Sequence, residues 1–256
     1  MPRGVSEAIE CAVMKARWRW SRLMTLTLLL GCGEPAENPA SVATSAPARE
    51  VAEAQEDPAV DSEDRVLIAF LGDSLSAGMG VEEDEAFPMI LQERLRELGW
   101  SVEVLNAGVS GDTTAGGVSR LNWILSQDPQ IVVVELGAND GLRGMSVDKT
   151  EANLRQMIVR AEEAGARVLL AGMMVPPNYG AEYAERFNAV FPSLAAELDV
   201  ELVPFLLSSV AAVPELNLAD GIHPNPAGHL RVAETVLPHL DAMLEDLAVS
   251  DSPPAP

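Results

Sequence analysis

Between residue 64 and about residue 248 two hydrophobic patterns alternate along the chain. The first is a short, almost wholly apolar run, seen at Val66–Leu71, Val102–Leu105, Ile131–Leu136, Arg167–Met173 and Val200–Pro204. Continuous rather than alternating apolarity is what strands covered on both faces show. The second is a longer stretch with apolar residues three and four positions apart, as at Leu154, Met157, Ile158 and Ala161. It predicts helices over Ala86–Leu98, Thr114–Ser126, Val147–Ala164, Ala181–Leu198 and Ala227–Leu247. Strand and helix in alternation predict an α/β domain with a parallel sheet of about five strands and helices on both faces. Crossovers in such a sheet are right-handed, and ligands bind in the loops that follow the strands.

The flanks lack this pattern. Residues 15–22 (K-A-R-W-R-W-S-R) are basic, and Leu23–Leu30 is an uncharged apolar run. A membrane-spanning helix needs about 20 residues, so the run reads as the apolar segment of an export signal that starts at Met14. Leu29-Leu30-Gly31-Cys32 closes it and resembles a bacterial lipobox, with Cys32 as the lipidated residue. Residues 1–31 are therefore read as a lipoprotein signal peptide. Residues 32–63, rich in Ala, Pro, Glu, Ser and Asp, are read as a disordered tether, and residues 249–256 as a disordered tail. Gly33, rather than the aspartate that resembles an inner-membrane retention signal, follows the cysteine. The expected location is the cell envelope, with the outer membrane or periplasmic face favoured.

Charge narrows the partners. With 17 basic and 39 acidic residues the formal net charge is −22, which opposes non-specific binding to nucleic acid and to anionic membrane surfaces. Two cysteines exclude a disulfide-rich scaffold and a four-cysteine zinc site.

The loops after the expected strands hold four unusual blocks: Gly72-Asp73-Ser74-Leu75, Ser110-Gly111-Asp112-Thr113, Gly137-Ala138-Asn139-Asp140 and Asp220-Gly221-Ile222-His223-Pro224. Singly, each reads as a turn or a helix cap. Together they suit acyl transfer. A serine hydroxyl needs a base to become a nucleophile, and His223 can supply it for Ser74. Asp220, three residues earlier, can orient the imidazole. The backbone N–H groups of Ser74 and Gly111 and the amide of Asn139 can receive the oxyanion. Thr113 is a rival hydroxyl without a neighbouring base.

The order and identity of these blocks closely resemble the SGNH (GDSL) hydrolase family, with Ser74, Gly111, Asn139 and His223 as its four marker residues. Ser110-Gly111-Asp112-Thr113, Gly141-Leu142-Arg143-Gly144 and Met174-Val175-Pro176-Pro177-Asn178-Tyr179-Gly180 look most like the bacterial multifunctional thioesterase/lysophospholipase/arylesterase branch. Ala138 departs from it, standing where that branch usually has glycine. The resemblance implies a flavodoxin-like three-layer α/β/α sandwich, no cofactor, and a serine esterase that forms an acyl-enzyme on Ser74. Its substrate would be a small ester, a lysolipid or an acyl thioester.

Three other classes compete. A nucleotide-binding module would need a phosphate-binding glycine motif, and none follows the first strand. A metal hydrolase could draw on Asp220, His223 and His229, but no further ligand cluster supports it; His229 reads as structural. A non-catalytic envelope lipoprotein would not need all four catalytic residue types. Within the hydrolase reading, a carbohydrate acetyl esterase is the alternative. Leu75, Leu142, Met145 and Pro177 are the expected walls of an acyl pocket. A monomer anchored to the membrane by its lipid is expected, with no metal and no nucleic acid.

Overall fold

A computed structural model describes residues 65–250. The expected signal peptide, Cys32, the tether to residue 63 and the tail beyond Ser250 lie outside the described residues.

Among the described residues five strands form one parallel sheet: β1 (Val66–Gly72), β2 (Val102–Asn106), β3 (Ile131–Glu135), β4 (Arg167–Ala171) and β5 (Glu201–Val203), in the order β2-β1-β3-β4-β5. Among the described residues six α-helices accompany them: α1 (Phe87–Glu97), α2 (Thr114–Leu125), α3 (Ala138–Leu142), α4 (Val147–Glu163), α5 (Ala181–Leu198) and α6 (Pro226–Ser250). All five strands and five of the helices stand where the hydrophobic pattern puts them. The helix α3 was not expected, because Asn139-Asp140-Gly141 has strong turn chemistry. The last helix runs past Leu247 and takes in Val249, which is 75% exposed.

The layers follow from handedness. The chain steps from β1 to β2 in one direction, then crosses back over β1 to β3 and continues to β4 and β5. Right-handed crossovers in opposite directions must lie on opposite faces. Accordingly α1 packs with α6 on one face, while α2, α4 and α5 pack in succession on the other. Phe70 of β1 meets Phe87 of α1 edge-on at 5.6 Å beneath the first layer, and Phe187 and Phe191 of α5 fill the second. The order in which strands are added reverses between β1 and β3, and there a doubly wound sheet opens a crevice at its carboxyl edge. Register brings Gly72 of β1 level with Glu135 of β3, and Phe70 level with Asn106 of β2. The first three site blocks therefore emerge side by side.

His229 has a structural place. It lies on α6, only 1% exposed, and its Nδ1 accepts the Phe87 N–H at 3.2 Å, joining α6 to the start of α1. Burial pushes its pKa down to about 4. An unfolded histidine titrates near about 6.5. Between those values the unfolded chain takes up a proton that the native chain refuses, so stability falls as pH falls. The full shift corresponds to about 3 kcal/mol. Urea unfolding at pH 7 and pH 4.5 should show a smaller acid loss for His229→Gln than for wild type, by about 2–3 kcal/mol. Equal losses would place the acid sensitivity elsewhere.

Candidate active site

Ser74 sits in the turn just after β1, 7% exposed. Its Oγ lies 2.9 Å from His223 Nε2, although the two residues are 149 positions apart. His223 Nδ1 in turn lies 2.7 Å from Asp220 Oδ2. The chemistry of Asp220 fixes the direction of both bonds. Its Oδ1 accepts the backbone N–H groups of Ile222 and His223, at 2.9 and 3.0 Å. These bonds and the one from the imidazole hold its pKa down to about 2. An ionised carboxylate only accepts, so Nδ1 carries the proton and Nε2 is left to accept from the Ser74 hydroxyl. The three-residue spacing has a local cause: one carboxylate closes the turn through backbone N–H groups and still reaches the ring. Leu218 N–H to His223 O at 2.7 Å and the isolated bridge from Asn217 to Pro224 pin the same loop.

The donors converge from the other blocks. Among the described residues, neither the Ser74 nor the Gly111 backbone N–H donates to any protein group. A backbone donor left without a protein partner in a site is available to an incoming anion. Gly111 has φ 80, in the left-handed region that glycine enters freely. Asn139, on α3, donates from Nδ2 to Asp73 Oδ2 at 3.0 Å and keeps its second N–H. Gly137, with φ 116, makes the turn into α3. Ala138 is not at positive φ, so the departure from the family pattern puts no strain on the backbone.

Several supporting residues carry no signal in the motif pattern. Glu135, wholly buried at the end of β3, accepts from Asp73 N, Ser76 N and Ser76 Oγ through one oxygen, at 3.1, 3.1 and 2.6 Å. It thereby shapes the turn that carries Ser74. Burial and the neighbouring Asp73 push its carboxyl well above the usual range, and burial raises Asp73 as well. Arg120 of α2 pairs with Asp112 at 2.7 Å and also holds the Ala107 and Gly72 carbonyls, which fastens the second block to the end of β1. Asp140 accepts from the backbone and hydroxyl of Thr114 at 2.9 and 2.6 Å, and so ties α3 to α2. A lone acid ending the apolar run of β3 was the available clue to Glu135. The partners of the others could not be inferred from spacing.

The remaining candidates are placed as follows. The Thr113 hydroxyl caps α2 by accepting from Gly116 N, a helix-capping role with no imidazole beside it. Asp220, His223 and His229 do not gather as a ligand set; among the described residues no group of three potential metal ligands assembles. Leu142 and Met145 lie in and just after α3, 38% and 36% exposed, and Pro177 opens an exposed 3₁₀ turn after β4. Leu75 differs from expectation. It is 4% exposed and belongs to the hydrophobic core, so it offers no open wall.

Residues 70–231 match the model of the GDSL-like Lipase/Acylhydrolase family. The chain belongs to that family. It is 45% identical over 175 residues to Esterase TesA of Pseudomonas aeruginosa, covering 68% of this chain and 87% of the relative. It is 41% identical over 182 residues to Thioesterase 1/protease 1/lysophospholipase L1 of Escherichia coli K12, covering 71% of this chain and 85% of the relative. The crystal structure of TesA superposes with a TM-score of 0.66 at 44% identity, covering 70% of this chain and 98% of that one. Membership makes this GDSL hydrolase a carboxylic ester hydrolase on the SGNH α/β fold.

Proposed function

We propose that this hydrolase works through an acyl-enzyme on Ser74, with His223 as base, Asp220 as its orienting carboxylate, and the Ser74 N–H, Gly111 N–H and Asn139 amide as oxyanion donors. The observation that carries the reading is the unbroken hydrogen-bonded line from Ser74 Oγ through His223 to an ionised Asp220. As Oγ attacks the ester carbonyl, its proton passes to Nε2. The carbonyl oxygen becomes an oxyanion held by the three donors. Nε2–H then protonates the leaving alcohol or thiol, and the acyl group stays on Ser74. Water repeats the sequence and releases the acid. No step calls for a cofactor, and every block comes from one chain, consistent with a working monomer.

Lysolipids and fatty esters are the proposed natural substrates. Large apolar side chains are exposed in the segments that follow the strands, among them Leu142, Met145, Met174, Tyr179 and Ile222. The names of the relatives, an esterase and a thioesterase/lysophospholipase, point the same way. Rates on p-nitrophenyl esters from acetate to laurate, on lysophospholipid and on acyl-CoA test this. Medium and long acyl chains should give the higher kcat/KM. Activity confined to acetyl esters would move the enzyme to acetylated carbohydrates.

The proposed location is the cell envelope, with the protein exported, lipidated on Cys32 and tethered through residues 33–63. The lipobox-like Leu29-Leu30-Gly31-Cys32 supports it. Wild type should fractionate with membranes, and Cys32→Ala should carry no lipid. Wild type with a free Cys32 thiol would overturn the anchor and leave the enzymology untouched.

A further inference from the structure

We propose that Arg143 is a positioning residue of the reaction: it bridges the second and third site blocks, holding the Asn139 amide directly and Gly111 through its carbonyl. The proposal rests on the reading of Gly111 and Asn139 as oxyanion donors. The two N–H groups of a single terminal nitrogen, Nη2, serve two oxygens, Gly111 O at 2.9 Å and Asn139 Oδ1 at 3.2 Å. Arg143 caps α3, and its own N–H reaches Asn139 O at 3.2 Å. One helical turn therefore sets its side chain over the asparagine, as the i, i+4 relation requires.

The amide of Asn139 is consequently held at both ends. Asp73 accepts from Nδ2 and Arg143 donates to Oδ1. An amide fixed in this way cannot flip, and its free N–H keeps one direction. A cation on the carbonyl oxygen also draws electron density from the amide nitrogen and makes that N–H a stronger donor. On the other side, a Cβ added at Gly111 would meet nothing closer than Arg143 Nη2 at 3.6 Å. The peptide that follows Gly111 is held at both ends, by Arg143 on the Gly111 carbonyl and by the Asp112 N–H on Val109 O at 3.0 Å.

The electrostatic setting points the same way. Eight of the described arginines pair with a carboxylate. Arg143 forms no ion pair among the described residues and binds two neutral oxygens instead, in a chain with 39 acidic residues. Its guanidinium therefore has no direct carboxylate contact and rests on the side chain proposed to receive the oxyanion.

The test compares Arg143→Ala, Arg143→Lys, Asn139→Ala and the double variant Asn139→Ala/Arg143→Ala on p-nitrophenyl acetate, whose short acyl chain needs no extended pocket. Arg143→Ala should lower kcat about tenfold with KM changed less than about twofold, the signature of an effect on the transition state. In the Asn139→Ala background the same substitution should cost less than about threefold, because residues that act as a unit are not additive. Arg143→Lys, with the charge but not the fork, should fall between wild type and Arg143→Ala. Low guanidinium chloride, but not equal sodium chloride, should restore part of the Arg143→Ala rate. A kcat for Arg143→Ala within twofold of wild type, or an equal loss in both backgrounds, would overturn the proposal. If Asn139→Ala keeps the wild-type rate, the oxyanion reading falls and this one falls with it. If Asn139→Ala is slow and Arg143→Ala is not, only this one falls.

Discussion

Ser74→Ala is expected to lower kcat on p-nitrophenyl acetate by about 10⁴-fold or more, since loss of the attacking atom leaves only binding and the oxyanion donors to act. The variant should remain folded. The turn that carries Ser74 is held by its neighbours, through Glu135 with Asp73 and Ser76 and through Asp73 Oδ1 with Leu75 N. His223 stays fixed by Asp220. What Ser74 loses is one partly buried hydrogen bond, worth about 1 kcal/mol. An unchanged far-ultraviolet spectrum, a thermal midpoint lowered by only a few degrees and a vanished rate are the expected set. A variant keeping more than about a hundredth of kcat would remove Ser74 from the nucleophile's role, because triad losses elsewhere are far larger. The same experiment addresses Thr113, whose hydroxyl is engaged at the cap of α2.

Asn139→Ala should lower kcat by about 10²–10³ and leave KM nearly unchanged, as removal of one oxyanion donor does elsewhere. The reason for the split is that the donor acts on charge that exists only in the transition state. The free N–H of Nδ2 disappears, and Asp73 Oδ2 loses the donor it holds at 3.0 Å. The Ser74 and Gly111 N–H groups remain, which is why the loss stays below that of Ser74→Ala. A raised KM with kcat unchanged would make Asn139 a substrate-binding residue instead. Asn139→Asp should be slower than Asn139→Ala, because a carboxylate there would face Asp73 and the developing oxyanion, a repulsion that Arg143 on its other side offsets only in part.

Local chemistry made the elements and the reacting residues legible in the sequence. Parallel strands buried on both faces must be continuous apolar runs, and Val66–Gly72 and Ile131–Glu135 are such runs. Helices that cover them must be amphipathic, as α4 is. Ser74, Asp220, Asn139 and His223 stood out because each lies in a short block of turn-forming residues after a strand or before the last helix. Asp220 and His223 could be paired from sequence, since they lie three positions apart. The short helix α3 was hidden because propensity over five residues is weak and Asn-Asp-Gly favours a turn; its cap at Gly137 and its bonds from Asp140 to α2 override that preference.

Tertiary structure decided what depends on neighbours distant in the chain. Nothing in the apolar runs specifies the order β2-β1-β3-β4-β5, because such strands are chemically alike and only the handedness of their crossovers separates the faces. Glu135 looks like the polar end of a strand until register sets it beside Gly72 and under the Ser74 turn, 62 residues away from Asp73. Leu75 looks like a pocket wall until the fold takes it into the core. Arg120 reaches Gly72, and Arg143 reaches Gly111, across 48 and 32 residues. Sequence determined which groups can react, because reactivity belongs to residue types and their local turns. The fold decided which groups hold them in place, because a hydrogen bond depends on distances of about 3 Å that no one-dimensional spacing records.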